Sequence, residues 1–291
     1  MDNLIKVITK DGSISFRSEK FKENFHSISG AYYETKNKFI NPSRLKRFQN
    51  KSINVLDICF GIGYNSAMLF ENVIKELSTL NWYGLELDKR SLNYALSEEK
   101  FNNLWSPKVN KILNSLNLRG LYKNKNFACN LLIGDARKEI LNLPKEVDFD
   151  LIFLDGFSPQ KCPEIWSYEF LSKLKNKIKY HGYLITYTSS AAVRKTLQNL
   201  GFNLFNIKPT VSKKKHWSNG TLATFDIQQK NPYITQLSEM ENEHLNTKAS
   251  IPYRDPTGEM LSKEILETRK KEQQLSNLLA TNSWRKKWEM A

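Results

Sequence analysis

Apolar residues arrive along this chain in short runs that stop at acids or glycines, separated by stretches with apolar spacings of three and four. Val55–Asn65 (VLDICFGIGYN) is the first such run, and Trp82–Asp88 (WYGLELD), Leu131–Ala136 (LLIGDA) and Phe149–Asp155 (FDLIFLD) repeat the pattern. Runs of this length and composition read as buried strands. Between the first two, Ala67, Met68, Leu69, Val73, Ile74 and Leu77 recur at helical spacing, predicting a helix over Asn65–Leu80. Further helices are expected over Pro163–Lys179 and over Ala191–Leu200, the latter stopped by Gly201. Strands are expected at Tyr183–Thr188, Phe202–Ile207 and Thr221–Ile227. Strands alternating with helices and ending in a strand pair predict an α/β fold with a mostly parallel sheet and an antiparallel last strand.

The pattern changes at both ends of this array. Residues 1–50 hold two short strands, Leu4–Thr9 and ISFRSE, joined by a turn at Asp11 and Gly12, which predicts a hairpin lid. A helix follows Gly30, with Tyr32 and Tyr33 expected near the ligand face or packed in the core. Residues 51–227 form the expected Rossmann-like domain, and about 89–127 exceeds one crossover helix, so a helical insertion is expected there. Residues 228–291 turn polar, with a turn at Ile251–Thr257 and a charged helix from Ser262 to Leu279. They read as a C-terminal extension wrapping the domain through Tyr253 and Trp284.

Candidate chemistry concentrates at the strand ends. Gly61 and Gly63 permit a tight turn that brings backbone amides close to a ligand at the start of a helix. A nicotinamide-binding G-x-G-x-x-G is not met, because Ser66 stands at the third position and Asp57 sits inside the strand end. Glu86, about twenty residues on, lies where a carboxylate accepts hydrogen bonds from both hydroxyls of a ribose. D-x-x-x-G-x-G followed by a strand-terminal acid resembles the S-adenosylmethionine site of Rossmann-like, class I methyltransferases. On that resemblance Asp57, Gly61, Gly63, Glu86, Asp135 and Ala136 are the expected cofactor residues, with Asp135 facing the adenine amino group. Asp155 makes a fourth acid on the same rim.

Composition narrows the partners. Lys and Arg outnumber Asp and Glu by 44 to 30, and residues 1–227 carry 34 of the basic against 21 of the acidic residues. That surplus favours a polyanion such as RNA, although a lysine-rich solvated surface gives the same count. Cys59, Cys129 and Cys162 share no C-x-x-C spacing and the four histidines are scattered. Reduced thiols in a cytoplasmic protein without a metal are therefore expected. No apolar run is long enough to span a membrane and no signal peptide is evident.

The loop after the fourth run carries the most specific signal. FLDGFSPQKCPEIWSYEFLSKL and GYLITYTSSAAVRKTLQNLGF, with TKDGSISF, FHSISGAYYE, VLDICFGIGYN and the basic loop before GTLATF, resemble the methyltransferase module of the MnmC family, tRNA 5-methylaminomethyl-2-thiouridine biosynthesis proteins. The resemblance runs over about residues 9–227. It implies methyl transfer from S-adenosylmethionine to the primary amine of 5-aminomethyl-(2-thio)uridine at the tRNA wobble position. Asp155 becomes the catalytic candidate, orienting the amine and accepting a proton secondarily; its alternative is to cap its own loop. Phe157, Pro159 and Trp166 are candidates to wall a flipped uracil, although Trp166 equally suits a core anchor. Arg194, Lys213, Lys214 and Lys215 are candidate phosphate contacts. The bifunctional family members carry an FAD-dependent oxidase module for which this sequence has neither the length nor a second glycine fingerprint, so another enzyme is expected to supply the amine. Two rivals share the pattern, an aminopropyltransferase and a non-catalytic RNA-binding protein on the same scaffold. Oligomeric state is not legible.

Overall fold

The computed structural model describes residues 2–209, 219–228 and 230–289. Its centre is a nine-stranded sheet in the order β12-β10-β11-β9-β8-β4-β5-β7-β6. In chain order the strands are β1 (Leu4–Ile8), β2 (Ile14–Ser18), β3 (Glu23–Asn24), β4 (Ser52–Ile58), β5 (Thr79–Glu86), β6 (Leu121–Lys123), β7 (Phe127–Ile133), β8 (Phe149–Leu154), β9 (Ile178–Thr186), β10 (Asn203–Ile207), β11 (Thr221–Thr224) and β12 (Ile234–Gln236). β4 pairs in parallel with β5 and β8, and the parallel order continues to β7 on one side and β9 on the other. β11 inserts antiparallel between β9 and β10. The first three strands form a separate antiparallel sheet.

The sheet is apolar on both faces because helices cover both. Leu151 and Phe153 of β8 join the core that holds Phe70, Trp82 and Leu113, while Ile152 and Leu154 join the core of Trp166, Leu171 and Leu197. This alternation follows from the two-residue period of a strand. It also explains why β4 and β8 read as continuous apolar runs.

Sheet pairing moved several boundaries from their sequence positions. β5 begins at Thr79, three residues before the run starting at Trp82, because Ser52 to Ile58 of β4 pair with Thr79 to Leu85. β7 spans Phe127–Ile133 rather than 131–136, since its partners run from Leu80 to Glu86. Asp135 therefore lies beyond the strand end and caps the helix Ala136–Glu139. The stretch 89–127 holds helices Arg90–Leu96, Glu99–Asn102 and Pro107–Arg119, followed by edge strand β6. Ser106 caps the last helix and Pro107 opens it, so the break at these residues starts a helix.

The segment after 227 is bound into the sheet. β12 pairs antiparallel with β10, Tyr253 and Trp284 are each 1% exposed, and the Trp284 indole N–H donates to the Met240 carbonyl at 3.0 Å. No helix among the described residues is long and apolar enough to cross a membrane.

Arg194 corrects an expectation. It is 1% exposed, with Nη1 2.9 Å from Glu241 Oε1, and it donates to Thr221 Oγ1 and Asn206 Oδ1 at 2.8 Å. Alternation of Ala191, Arg194 and Leu197 on one helix face turns the guanidinium inward, so it ties the C-terminal segment to the sheet instead of meeting phosphate. Burial opposes both charges, and Arg194 nevertheless holds the Glu241 carboxyl below its usual range. Removing one partner of such a pair strands the other in the core. Arg194→Ala is expected to lower stability by about 3–5 kcal/mol, read as a shifted urea midpoint; a loss below about 1 kcal/mol would contradict this role.

Candidate functional site

A cleft of about 1070 Å³ opens at the carboxyl ends of β4, β5, β8 and β9, on both sides of the central strand, where ligands bind in open α/β sheets. The segment Lys20–Ser27, with β3 at its centre, lies over it. Phe157 stacks on Phe21 at a ring separation of 4.4 Å and meets Phe25 edge-on at 5.1 Å. Ser158 donates its backbone N–H to Glu23 at 2.9 Å. These contacts fasten the N-terminal sheet to the loop after β8.

The first half of the cleft is built on the glycine turn. Cys59, Gly61 and Gly63 take positive φ of 62, 61 and 92°, which folds the chain sharply between β4 and the helix Tyr64–Lys75. Gly61 N–H donates to Glu86 Oε2 at 2.7 Å, and Asp88 N–H donates to Oε1 at 2.9 Å. The carboxylate is thereby held in place with lone pairs left toward the cleft. Burial pushes its pKa up, and these amide bonds resist the rise.

Among the residues expected here, Gly61, Glu86, Asp135 and Ala136 line the cleft. Asp57 is fully buried. Its Oδ2 accepts from Ser66 Oγ at 2.5 Å, its Oδ1 has no partner, and burial pushes its carboxyl up to about 7. Asp57 and Gly63 lie outside the lining; a Cβ on Gly63 would meet the Phe60 ring at 2.9 Å, so close packing fixes that glycine. Asp135 borders the cleft with both oxygens engaged: Oδ2 lies 2.6 Å from Arg137 Nη2, and Oδ1 accepts the Arg137 N–H at 2.9 Å. Arg137 also reaches Asp255 Oδ2 at 2.8 Å.

The second half is built around Asp155. Its Oδ2 accepts from Asn65 Nδ2 at 2.7 Å, and Asn65 Oδ1 accepts from Thr35 Oγ1 at 3.0 Å. Burial, then the nearby Glu34 carboxylate, pushes the Asp155 pKa up to about 8 against the Asn65 hydrogen bond. Glu34, Lys38 and Tyr187 border the same space, and Glu34 pairs with Lys38. Burial disfavours the charge on Glu34, but Lys38 and the Ser27 N–H hold its pKa below the usual range. Cys59 and Cys162 also line the cleft, and burial pushes both thiols up, so neither offers a ready thiolate.

Phe157 borders the cleft, whereas Pro159 and Trp166 do not. Trp166 has no exposed surface, and its indole N–H donates to the Phe157 carbonyl at 2.8 Å. It is a core anchor that fixes the loop from beneath, which corrects its placement in the pocket wall. Lys213, Lys214 and Lys215 lie outside the described residues. Tyr32 and Tyr33 do not line the cleft, and Tyr32 stacks on Trp105 at 5.9 Å. Sequence reasoning passed over Glu34, Lys38, Asn65 and Tyr187. The available signals were the i,i+4 charge pair after Gly30 and a tyrosine one residue beyond β9. Among the described residues no group of His, Cys, Asp and Glu is arranged to hold a metal ion.

The cleft suits a nucleoside carrying a sulfonium. Glu86 offers a fixed acceptor for a ribose diol, glycines allow close approach, and half-buried acids favour a cation.

Residues 99–223 match a family described as S-adenosyl-L-methionine-dependent methyltransferases. The chain is similar to an uncharacterized protein of Methanocaldococcus jannaschii, with 29% identity over 91% of this chain and 71% of that protein. It is also similar to tRNA 5-methylaminomethyl-2-thiouridine biosynthesis bifunctional proteins MnmC. For that of Leptospira borgpetersenii the identity is 25%, covering 73% of this chain and 34% of the relative. For that of Campylobacter hominis it is 30%, covering 64% and 28%. The chain thus spans about a third of the length of these bifunctional relatives. Among solved structures, MNMC2 from Aquifex aeolicus superposes with a TM-score of 0.81 at 28% identity, covering 95% of this chain and 87% of that one. Fold, family and cleft together favour methyl transfer over the aminopropyl and non-catalytic readings, and the chain carries an MnmC-like, S-adenosyl-L-methionine-dependent methyltransferase domain.

Proposed function

We propose that this chain transfers a methyl group to the primary amine of 5-aminomethyl-(2-thio)uridine at the wobble position of tRNA. The observation that carries the reading is Asp155, a carboxyl aimed into the cofactor cleft by Asn65 at the start of the loop that also presents Phe157. The names of the MnmC relatives support the tRNA assignment, as does the basic surplus of residues 1–227.

When bound, S-adenosylmethionine supplies an electrophilic methyl group on a sulfonium sulfur. An alkylammonium with a pKa of about 10.4 has no free lone pair at neutral pH and must lose a proton before attack. In the ligand-free cleft burial and Glu34 raise the Asp155 carboxyl to about 8, closer to that amine than an ordinary aspartate at about 3.9, and a bound sulfonium would draw it part of the way back. Asp155 would therefore orient the amine by accepting an N–H and, secondarily, take up the proton that the ammonium loses before attack, leaving the nitrogen lone pair free for the methyl group that the bound cofactor would supply. Phe157, stacked on Phe21, lines the cleft and would border the uracil ring there. Glu86 would hold the ribose of the bound cofactor.

Glu86→Ala is expected to weaken cofactor binding by about 1 to 3 kcal/mol in calorimetric titration while the fold survives. Unchanged affinity would remove Glu86 from the cofactor site. Asp155→Asn should keep cofactor affinity but slow single-turnover methylation of aminomethylated tRNA by about a hundredfold. At saturating cofactor, kcat/KM for tRNA should rise with pH as Asp155 ionises. Its inflection should fall below the ligand-free value of about 8, because a neighbouring sulfonium favours the carboxylate. That inflection should vanish in Asp155→Asn, and its survival would assign the titration elsewhere. Label on a ring carbon or ribose would overturn the substrate assignment. For the basic loop, replacing Lys213, Lys214 and Lys215 by Ala should lower the salt slope of tRNA binding by somewhat under about one unit per contact; an unaltered slope would make the loop ordinary surface.

A further inference from the structure

We propose that Glu34 is a second carboxylate of the acceptor site, a specificity residue that exchanges Lys38 for the aminomethyl cation of the substrate. The inference rests on the functional reading above and concerns how the same site tells a primary alkylammonium from an unmodified uridine.

The argument starts from the helix after Gly30. Ala31–Thr35 is α-helical, and Lys36–Ile40 continues it as a π turn, an irregularity that is frequent at functional sites. Glu34 and Lys38 both turn toward the cleft, with side chains only 12% and 20% exposed. Between them stands Thr35, whose hydroxyl fixes Asn65, which in turn fixes Asp155. One stretch of helix thus presents Glu34 to the cleft and sets the direction of Asp155. A pair serving only surface solubility has no reason to be buried beside another carboxyl.

The contacts of Lys38 describe a receptor for its own head group. Its Nζ is bonded to Glu34 Oε1 and lies 5.7 Å from the centre of the Tyr187 ring, a carboxylate on one side and an aromatic face on another. Glu34 is held by the backbone N–H of Ser27, which donates to Oε2 at 2.7 Å, so the carboxylate stays when the lysine leaves. The substrate's –CH2–NH3⁺ is chemically the end of a lysine side chain. If it entered while Lys38 remained, two ammonium groups would crowd one ionised carboxylate in a poorly hydrated space. Withdrawal of the long, flexible lysine stem to water keeps the charge of the cleft constant and transfers Glu34 to the incoming amine. A neutral uracil substituent has nothing to offer in this exchange and leaves the Glu34–Lys38 pair closed.

Two variants test the exchange with opposite signs. In Glu34→Gln, KM for aminomethylated tRNA should rise about tenfold or more, the scale of one charge-assisted hydrogen bond, with cofactor affinity unchanged. The binding preference for aminomethylated over unmodified tRNA should collapse. In Lys38→Met, where the competitor is gone, KM for aminomethylated tRNA should fall and that preference should persist. A Glu34→Gln enzyme with wild-type KM and preference would overturn the proposal. So would a folded Lys38→Met enzyme with raised KM, since a lysine that merely supports Glu34 loosens the site when removed; this arm decides the matter even if Glu34→Gln does not fold. Failure of the wild-type enzyme to methylate aminomethylated tRNA would remove the substrate reading itself. Wild-type transfer with an indifferent Glu34→Gln removes only the role of Glu34.

Discussion

The parallel pairing of β4 with β5 on one side and β8 on the other is the constraint on which the site depends. It aligns three strands whose apolar runs end close together, so Glu86 and Asp155 stand at the edge of the cleft with Asp57 buried two residues deeper in register. Carboxylates in such a place are costly to ionise. Each is supported differently: Glu86 by two backbone amides, Asp155 by one side-chain amide, and Asp57 by one hydroxyl with the other oxygen unpartnered. Anything positively charged that enters the cleft relieves the strain of this arrangement. A sulfonium is a cation and, under the proposed function, so is the alkylammonium acceptor, so the same constraint would serve both.

Elements outside the parallel core hold this rim in shape. The N-terminal sheet reaches the loop after β8 through Phe21, Phe25 and Glu23. From the other side, Arg137 links Asp135 to Asp255, and Tyr253 bridges to Ser167 at the start of the next helix. Trp166 fixes the backbone of Phe157 from below. The loop carrying Asp155 and Phe157 is therefore gripped from three directions, as the role proposed for Asp155 would require.

Much of this was legible in the sequence because buried parallel strands leave continuous apolar runs and glycine turns leave fixed spacings. β8 is found within one residue of its expected bounds, while β5 and β7 start earlier, since pairing partners rather than local composition decide where a strand begins. Misassignments fell on residues whose chemistry fits two places. Arg194 and Trp166 are typical of RNA contacts, yet Arg194 shares its face with Ala191 and Leu197, and Trp166 is spaced by four from Phe170. Their periodicity pointed to the core. Glu34 and Lys38 were passed over for the converse reason: an i,i+4 acid–base pair reads as a solvated helix face, and only the packing of that helix against Asn65 turns it toward Asp155.

A chain with 44 basic and 30 acidic residues thus folds around a rim of acids, and the two charge patterns act over different ranges. Under the proposed function the basic surplus attracts the polyanion at a distance, where added salt screens it within about 10 Å. The rim acids act over a few ångströms, a range over which added salt screens far less. Long-range attraction cannot distinguish one tRNA from another, because every tRNA carries the same backbone. Under that function discrimination would come from the short-range acids, which would respond to a single aminomethyl cation rather than to the phosphates around it. Under the proposed function the opposite signs are therefore no contradiction: a basic cleft would repel both a sulfonium and an alkylammonium, and an acidic exterior would keep a nucleic acid away.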